Sequence, residues 1–171
     1  KVKNKELSNI RKEKIGFIFQ DYSLLDNMTL MDNIALPLAL GRKKTKEIEE
    51  KVNKIADVFG LKEHLKKYPY ELSGGQKQRG AAARALITEP KVIFADEPTG
   101  ALDSKSSIDL LECLKRVNEE KNATIIMVTH DAFSASYSKK VYMLSDGEIK
   151  CQINKGNDRK AFYGKIIDLL A

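Results

Sequence analysis

Apolar positions along this chain change rhythm twice. Ile15 to Phe19 is a short, nearly continuous apolar run, the pattern of a buried strand. From Asp21 to about Thr88 helical spacing takes over. A helix is predicted from about Thr29, where Thr29 and Asp32 fit a capping box. A second, over Thr45 to Phe59, sets Ile48, Val52, Ile55, Ala56 and Phe59 on one face, with Gly60 as its stop. A third opens at Ser73 and ends before Pro90, because the residue ahead of a proline disfavours helix. Beyond Pro90, the β-rich runs Val92 to Ala95 and Thr124 to Val128 flank a helical stretch from about Ser104 to Asn118. That alternation predicts parallel strands joined by right-handed helical crossovers. Lys140 to Leu144, Asp146-Gly147 and Glu148 to Ile153 predict a hairpin, and Ala161 to Leu170 a last amphipathic helix. The expected class is therefore α/β: a layered core over residues 1–20 and 89–171, interrupted by an all-helical insert over 21–88.

Composition changes this picture little. With 171 residues, 42% hydrophobic and 32% charged, the chain can build one domain with a real core and a small subdomain. It holds no apolar run of membrane-spanning length and no secretory signal pattern, so a cytoplasmic chain is expected, reaching a membrane only through a partner. Cys113 and Cys151 lack metal or redox spacing and read as structural thiols, Cys113 on a buried helix face with Ile108, Leu111 and Leu114. The net charge of +6 comes from lysines on solvated helix faces without interleaved aromatics, which argues against nucleic-acid binding.

Chemistry concentrates where elements end. Val92-Ile93-Phe94-Ala95-Asp96-Glu97 is an apolar strand closing on two adjacent carboxylates, at the edge where open α/β sheets bind ligands. One carboxylate can hold Mg²⁺ while its neighbour orients or deprotonates a water; equally, the pair could only cap a helix. In Leu72-Ser73-Gly74-Gly75-Gln76, Ser73 and Gln76 form a capping box. Two glycines in that first turn cost roughly 1 kcal/mol each against alanine, which favours a second purpose: letting bare N–H groups approach an anion. His130 after the third strand, Gln20 closing the first, and Asp103 ahead of a helix are each weak alone, and Asp103 could serve only as a cap.

Taken in order, Gln20, Leu72 to Gln76, Asp96-Glu97, Gly100 to Asp103 and His130 resemble the motif series of ATP-binding-cassette ATPases, over essentially the whole chain. The resemblance implies a P-loop NTPase-like (RecA-like) sheet, ATP and Mg²⁺ as ligands, and a head-to-tail pair of cassettes sandwiching two nucleotides. It makes Gln20 the residue that reaches Mg²⁺ and the attacking water, Asp96 the metal support and Glu97 the general base. Ser73, Gly74, Gly75 and Gln76 become the signature that meets the opposite subunit's γ-phosphate, Asp103 a residue of the dimer seam, and His130 a γ-phosphate contact. A permease would dock beside the helical insert, near Leu24, Leu25, Met28 and Met31, although those residues could equally just pack the insert.

The pattern is broken: the sequence holds neither a G-x-x-x-x-G-K-[ST] phosphate cradle nor the early aromatic on which adenine stacks in the family. By resemblance the chain starts inside the domain and is amino-terminally truncated, so it is expected to bind MgATP weakly, to be inactive alone, and to leave apolar surface open. Gly80, where the family has a bulkier residue, is expected to loosen the signature helix modestly. Lys67 to Glu71, Asp96 to Gly100 and Thr129 to Asp131 resemble cassettes of macrolide export, lipoprotein release and antimicrobial-peptide resistance. Ala132 to Tyr137 leans towards the bacitracin type. The rival classes are a soluble cassette ATPase unlinked to transport, which the short insert disfavours, and a non-catalytic or regulatory cassette, which Glu97 and His130 disfavour.

Overall fold

Each of the predicted strands and helices forms, with edges set by local chemistry. The structure is a computed structural model and describes Ile10 and residues 14–170. It divides into two compact units, one ending at Val128 and one beginning at Thr129.

In the first unit, strands β1 (Ile15–Ile18), β2 (Val92–Asp96) and β3 (Thr124–Val128) form a parallel sheet in the order β1-β2-β3. Gly16, Phe17 and Ile18 stand beside Ile93, Phe94 and Ala95, which stand beside Ile125, Ile126 and Met127. Side chains alternate across a pleated sheet, so this register sorts them into two faces. Ile18, Ile93 and Ala95 are buried with the helices, and Ile125 and Met127 pack against them. Phe17, Phe94 and Ile126 are all exposed on the other face, the two rings stacked 5.5 Å apart. The run at Ile15 was expected to be buried throughout; instead the strand is buried on alternate residues and Phe19 lies beyond its end.

Helices α1 (Leu30–Leu40), α2 (Thr45–Val58) and α3 (Gly74–Leu86) lie between β1 and β2, and α4 (Ser104–Lys121) crosses from β2 to β3. Thr29 and Ser73 head α1 and α3 with complete capping boxes, as their sequences predict. Gly60, in a left-handed conformation, follows α2 and lets the chain turn into two short 3₁₀ turns, Lys62–His64 and Pro69–Glu71. Leu30, Ile34, Val52, Phe59 and Leu61 are wholly or almost wholly buried among these helices. On α4 the buried stripe is Leu110, Leu111, Cys113, Leu114 and Val117, whereas Ile108, expected inside, is exposed.

In the second unit, the antiparallel hairpin β4 (Lys140–Ser145) and β5 (Glu148–Asn154) turns at Asp146 and Gly147, both with positive φ. The short helix α5 (Ala132–Ala135) packs on α6 (Arg159–Leu170) through Ala132, Phe162 and Ile166. Arg159 lies 4.5 Å over the Tyr137 ring.

Candidate functional site

The strand ends of the first unit carry the densest group of chemically capable residues. β2 finishes at Asp96, exposed and beside Val128 in register. Glu97 then takes a left-handed backbone, φ 42°, its N–H donating to Val128 O at 2.9 Å while its own carbonyl accepts from Gly100 N–H at 3.0 Å. An L-residue held there costs on the order of 1–3 kcal/mol, a kind of strain that clusters where function needs a side chain aimed. Glu97 is half-buried, next to the exposed Asp96.

Gln20 reaches this turn from the end of β1. A Cβ placed on Gly100 would lie 3.0 Å from Gln20 Nε2, so the glutamine amide rests against the glycine and a larger residue there would push it away. The structure therefore brings Gln20 and the Glu97–Gly100 turn together, two features 77 positions apart from Gln20 to Glu97 in sequence.

At the head of α3, Ser73 is exposed; its hydroxyl accepts from Gln76 N–H at 3.3 Å and its own N–H donates to Gln76 Oε1 at 2.9 Å. That bond turns the Gln76 amide nitrogen towards His64, 3.1 Å from its Nε2. The glycines also have a packing role. A Cβ on Gly75 would fall 2.5 Å from Ser106 Oγ, and one on Gly74 3.0 Å from the Tyr22 hydroxyl. Close approach to α4, as well as room for an anion, thus accounts for Gly75.

Asp103 heads α4, accepting from Ser106 N–H at 2.9 Å and from the Ser106 hydroxyl at 2.7 Å. Its capping alternative is realised. The bond from the Ser106 backbone, reinforced by its hydroxyl, holds the Asp103 carboxyl below the usual carboxylate range. Ser106 touches both Asp103 and the Gly75 position, so the heads of α3 and α4 meet.

Gln78 carries no chemistry in the sequence motifs, yet it lies at the junction of these elements. It is fully buried, and its Nε2 donates to Phe19 O at 3.1 Å and to Pro98 O at 2.8 Å. Two turns along, Arg84 donates to the carbonyls of Tyr22 and Ser23, both left-handed. A signal for Gln78 was present: it falls on the same stripe of α3 as Gly75, Ala82 and Leu86, a polar side chain among buried positions.

His130 is exposed in the second unit, one residue before Asp131. Burial works against charge on Asp131, but the Ser134 hydroxyl and the N–H groups of Ser134 and Phe133 outweigh it and, helped by His130, hold its carboxyl below the usual range.

Donor chemistry tests the ligands. Among the described residues no group of three His, Cys, Asp or Glu side chains could enclose a metal ion. The exposed Asp96 at the strand end suits Mg²⁺, which takes one or two carboxylates and completes its shell with phosphate oxygens and water. The first-turn N–H groups of Gly74 and Gly75 have no intrahelical acceptor by helix geometry, and they suit a phosphate.

Residues 1–100 match the sequence pattern of the family described as ABC transporter. The chain is 51% identical over 168 residues to the bacitracin export ATP-binding protein BceA of Halalkalibacterium halodurans, covering 98% of this chain and 66% of that protein. It is 45% identical over 155 residues to the macrolide export ATP-binding/permease protein MacB of Campylobacter jejuni, covering 91% of this chain and 24% of that protein. The fold matches the dimeric ATP-binding cassette MJ0796 of Methanocaldococcus jannaschii, solved in a post-hydrolysis state bound to ADP and Pi. The TM-score is 0.80 at 37% identity, over 91% of this chain and 69% of that one.

Proposed function

This chain belongs to the ABC transporter family, and from that premise we propose that it forms most of the ATP-binding, ATP-hydrolysing subunit that powers a membrane permease. The permease exports or detoxifies peptides, lipids or drugs, the antimicrobial-peptide type being favoured by the likeness to BceA. Because the chain spans 66% of that relative, activity is assigned to the full-length protein.

Each motif then has a task. Asp96 would support Mg²⁺, and Gln20 would reach both the metal and the attacking water. Glu97 accepts the proton of that water. His130 contacts the γ-phosphate. Ser73, Gly74, Gly75 and Gln76 close on the γ-phosphate held by a second cassette, with Asp103 at the seam between the two copies. Mg²⁺, when bound, spreads the charge developing on the phosphate oxygens. Strands over residues 15–18, 92–96 and 124–128 form the sheet whose ends carry Gln20, Asp96 and Glu97, whereas 30–86 supply only helices, which favours a helical signature subdomain over 21–88 beside a core proposed as 1–20 and 89–171. No helix among the described residues is long and apolar enough to cross a membrane, in keeping with a subunit held at the cytoplasmic face by its permease.

The observation that carries the reading is Glu97. A left-handed glutamate beside an exposed aspartate, at the end of a parallel strand and in the turn whose Gly100 the Gln20 amide rests against, supplies the carboxylate that a water-activating base requires. In the full-length protein, Glu97→Gln is expected to lower ATP turnover by about 10²- to 10⁴-fold while ATP still binds. A turnover equal to the parent's overturns the role.

A further inference from the structure

Two residues assigned to hydrolysis, Gln20 and Glu97, stand just past the ends of neighbouring strands, and one buried amide holds the backbone beside both. Gln20 directly follows Phe19, and Pro98 directly follows Glu97. Gln78 Nε2 donates to the carbonyls of Phe19 and Pro98, spending each of its two hydrogens on one of the two turns. Because both partners are acceptors, the orientation of the amide is fixed: the oxygen cannot take the place of the nitrogen there. Gln78 Oε1 is buried and has no partner among the described residues. An unpaired acceptor inside a protein is a burden that an apolar side chain would avoid, so the two donated bonds are what the glutamine contributes.

We propose that Gln78 is a positioning residue for ATP hydrolysis, fixing the Gln20 turn and the Asp96-Glu97 turn relative to each other and to the head of α3. The inference rests on the ATPase reading above and goes beyond it by naming a residue that touches neither nucleotide nor metal. α3 grips the Gln20 loop from both sides, Gln78 before the glutamine and Arg84 after it, at the left-handed Tyr22 and Ser23. Ser73, five positions ahead of Gln78 on the same rigid helix, heads the segment that meets the opposite nucleotide. A shift of α3 on nucleotide capture therefore moves Gln20 and the Glu97 turn together, and hydrolysis is licensed only when the helix is seated.

The test uses the full-length protein. Gln78→Met keeps the length of the side chain and removes both donors. We expect kcat to fall about tenfold or more, KM for MgATP to stay within about twofold, and the melting temperature to change little. In a Gln20→Ala background the same substitution must cost much less, since part of what Gln78 positions is already gone. If Gln78→Met melts early, Gln78→Leu takes its place, being apolar, close in size and without donors, and is judged on the same kcat loss. An unchanged kcat, a change confined to KM, or losses that simply multiply with Gln20→Ala overturn the proposal. Glu97→Gln assayed alongside separates the two failures: if it abolishes turnover while Gln78→Met behaves like the parent, only the positioning role falls.

Discussion

Gln20, Gly100 and Glu97 show how the site is decided at single residues. Gly100 has no side chain where Gln20 Nε2 lies, so Gly100→Ala should displace the amide without disturbing the buried core. In the full-length protein it is expected to lower kcat about 10- to 100-fold with little change in melting temperature, and a parental kcat would remove Gln20 from the site. Two carboxylates should make the fold acid-sensitive. Asp103 and Asp131 are both held below the usual range, so each contributes stability that is complete above about pH 4 and is lost as pH falls through its depressed folded value. Denaturant unfolding of the parent and of Asp131→Asn should differ most near neutral pH and converge towards acid. A gap that stays constant with pH would mean that the capping bonds, not the charge, do the stabilising. The roles proposed for these residues were legible as motifs. The contact of Gln20 with Gly100 was not, because nothing in one stretch of sequence records what folds against it.

Helix heads and ends announced themselves. Thr29, Ser73 and Asp103 each hydrogen-bond into the first turn of the helix they precede, a local effect readable from spacing alone, whereas Asp131 caps α5, a four-residue helix that the apolar pattern did not predict. Packing between helices was less legible. Gly80 was expected to leave α3 loose, but a Cβ there would fall 2.5 Å from a methyl of the fully buried Leu30, so the glycine is the seat of α1 on α3. Gly80→Val is therefore expected to destabilise the chain by about 1–3 kcal/mol, overpacking outweighing the gain of roughly 1 kcal/mol or less in helix propensity. Urea unfolding of the 171-residue chain measures this, and a raised midpoint would show that Leu30 moves aside freely. On α4 the expected Leu111, Cys113 and Leu114 are inside, joined by Leu110 and Val117, while Ile108 is outside, because several apolar stripes fit an 18-residue helix and only its neighbours choose where the stripe ends.

For the molecule as a whole, the exposed ladder Phe17, Phe94 and Ile126 has the largest consequence. Parallel sheets are normally covered on both faces, and this one packs helices on one face while leaving these three residues 37–45% exposed on the other. The isolated 171-residue chain should therefore self-associate through apolar contact, little affected by salt. Light scattering should show smaller particles for Phe94→Lys than for the parent, and equal association in both would place the contact elsewhere.

What the sequence determined by itself is what local chemistry controls: the strand and helix order, the capping boxes, the Asp146-Gly147 turn and the family motifs, each written within a few neighbouring residues. Tertiary structure alone decided which side of each strand is covered, that Gly75 and Gly80 are points of close approach, and that Gln78 joins the Gln20 turn to the Glu97 turn. The Gln78 link joins atoms from positions 20 and 59 residues apart, and no local pattern encodes which distant carbonyl a buried amide will meet.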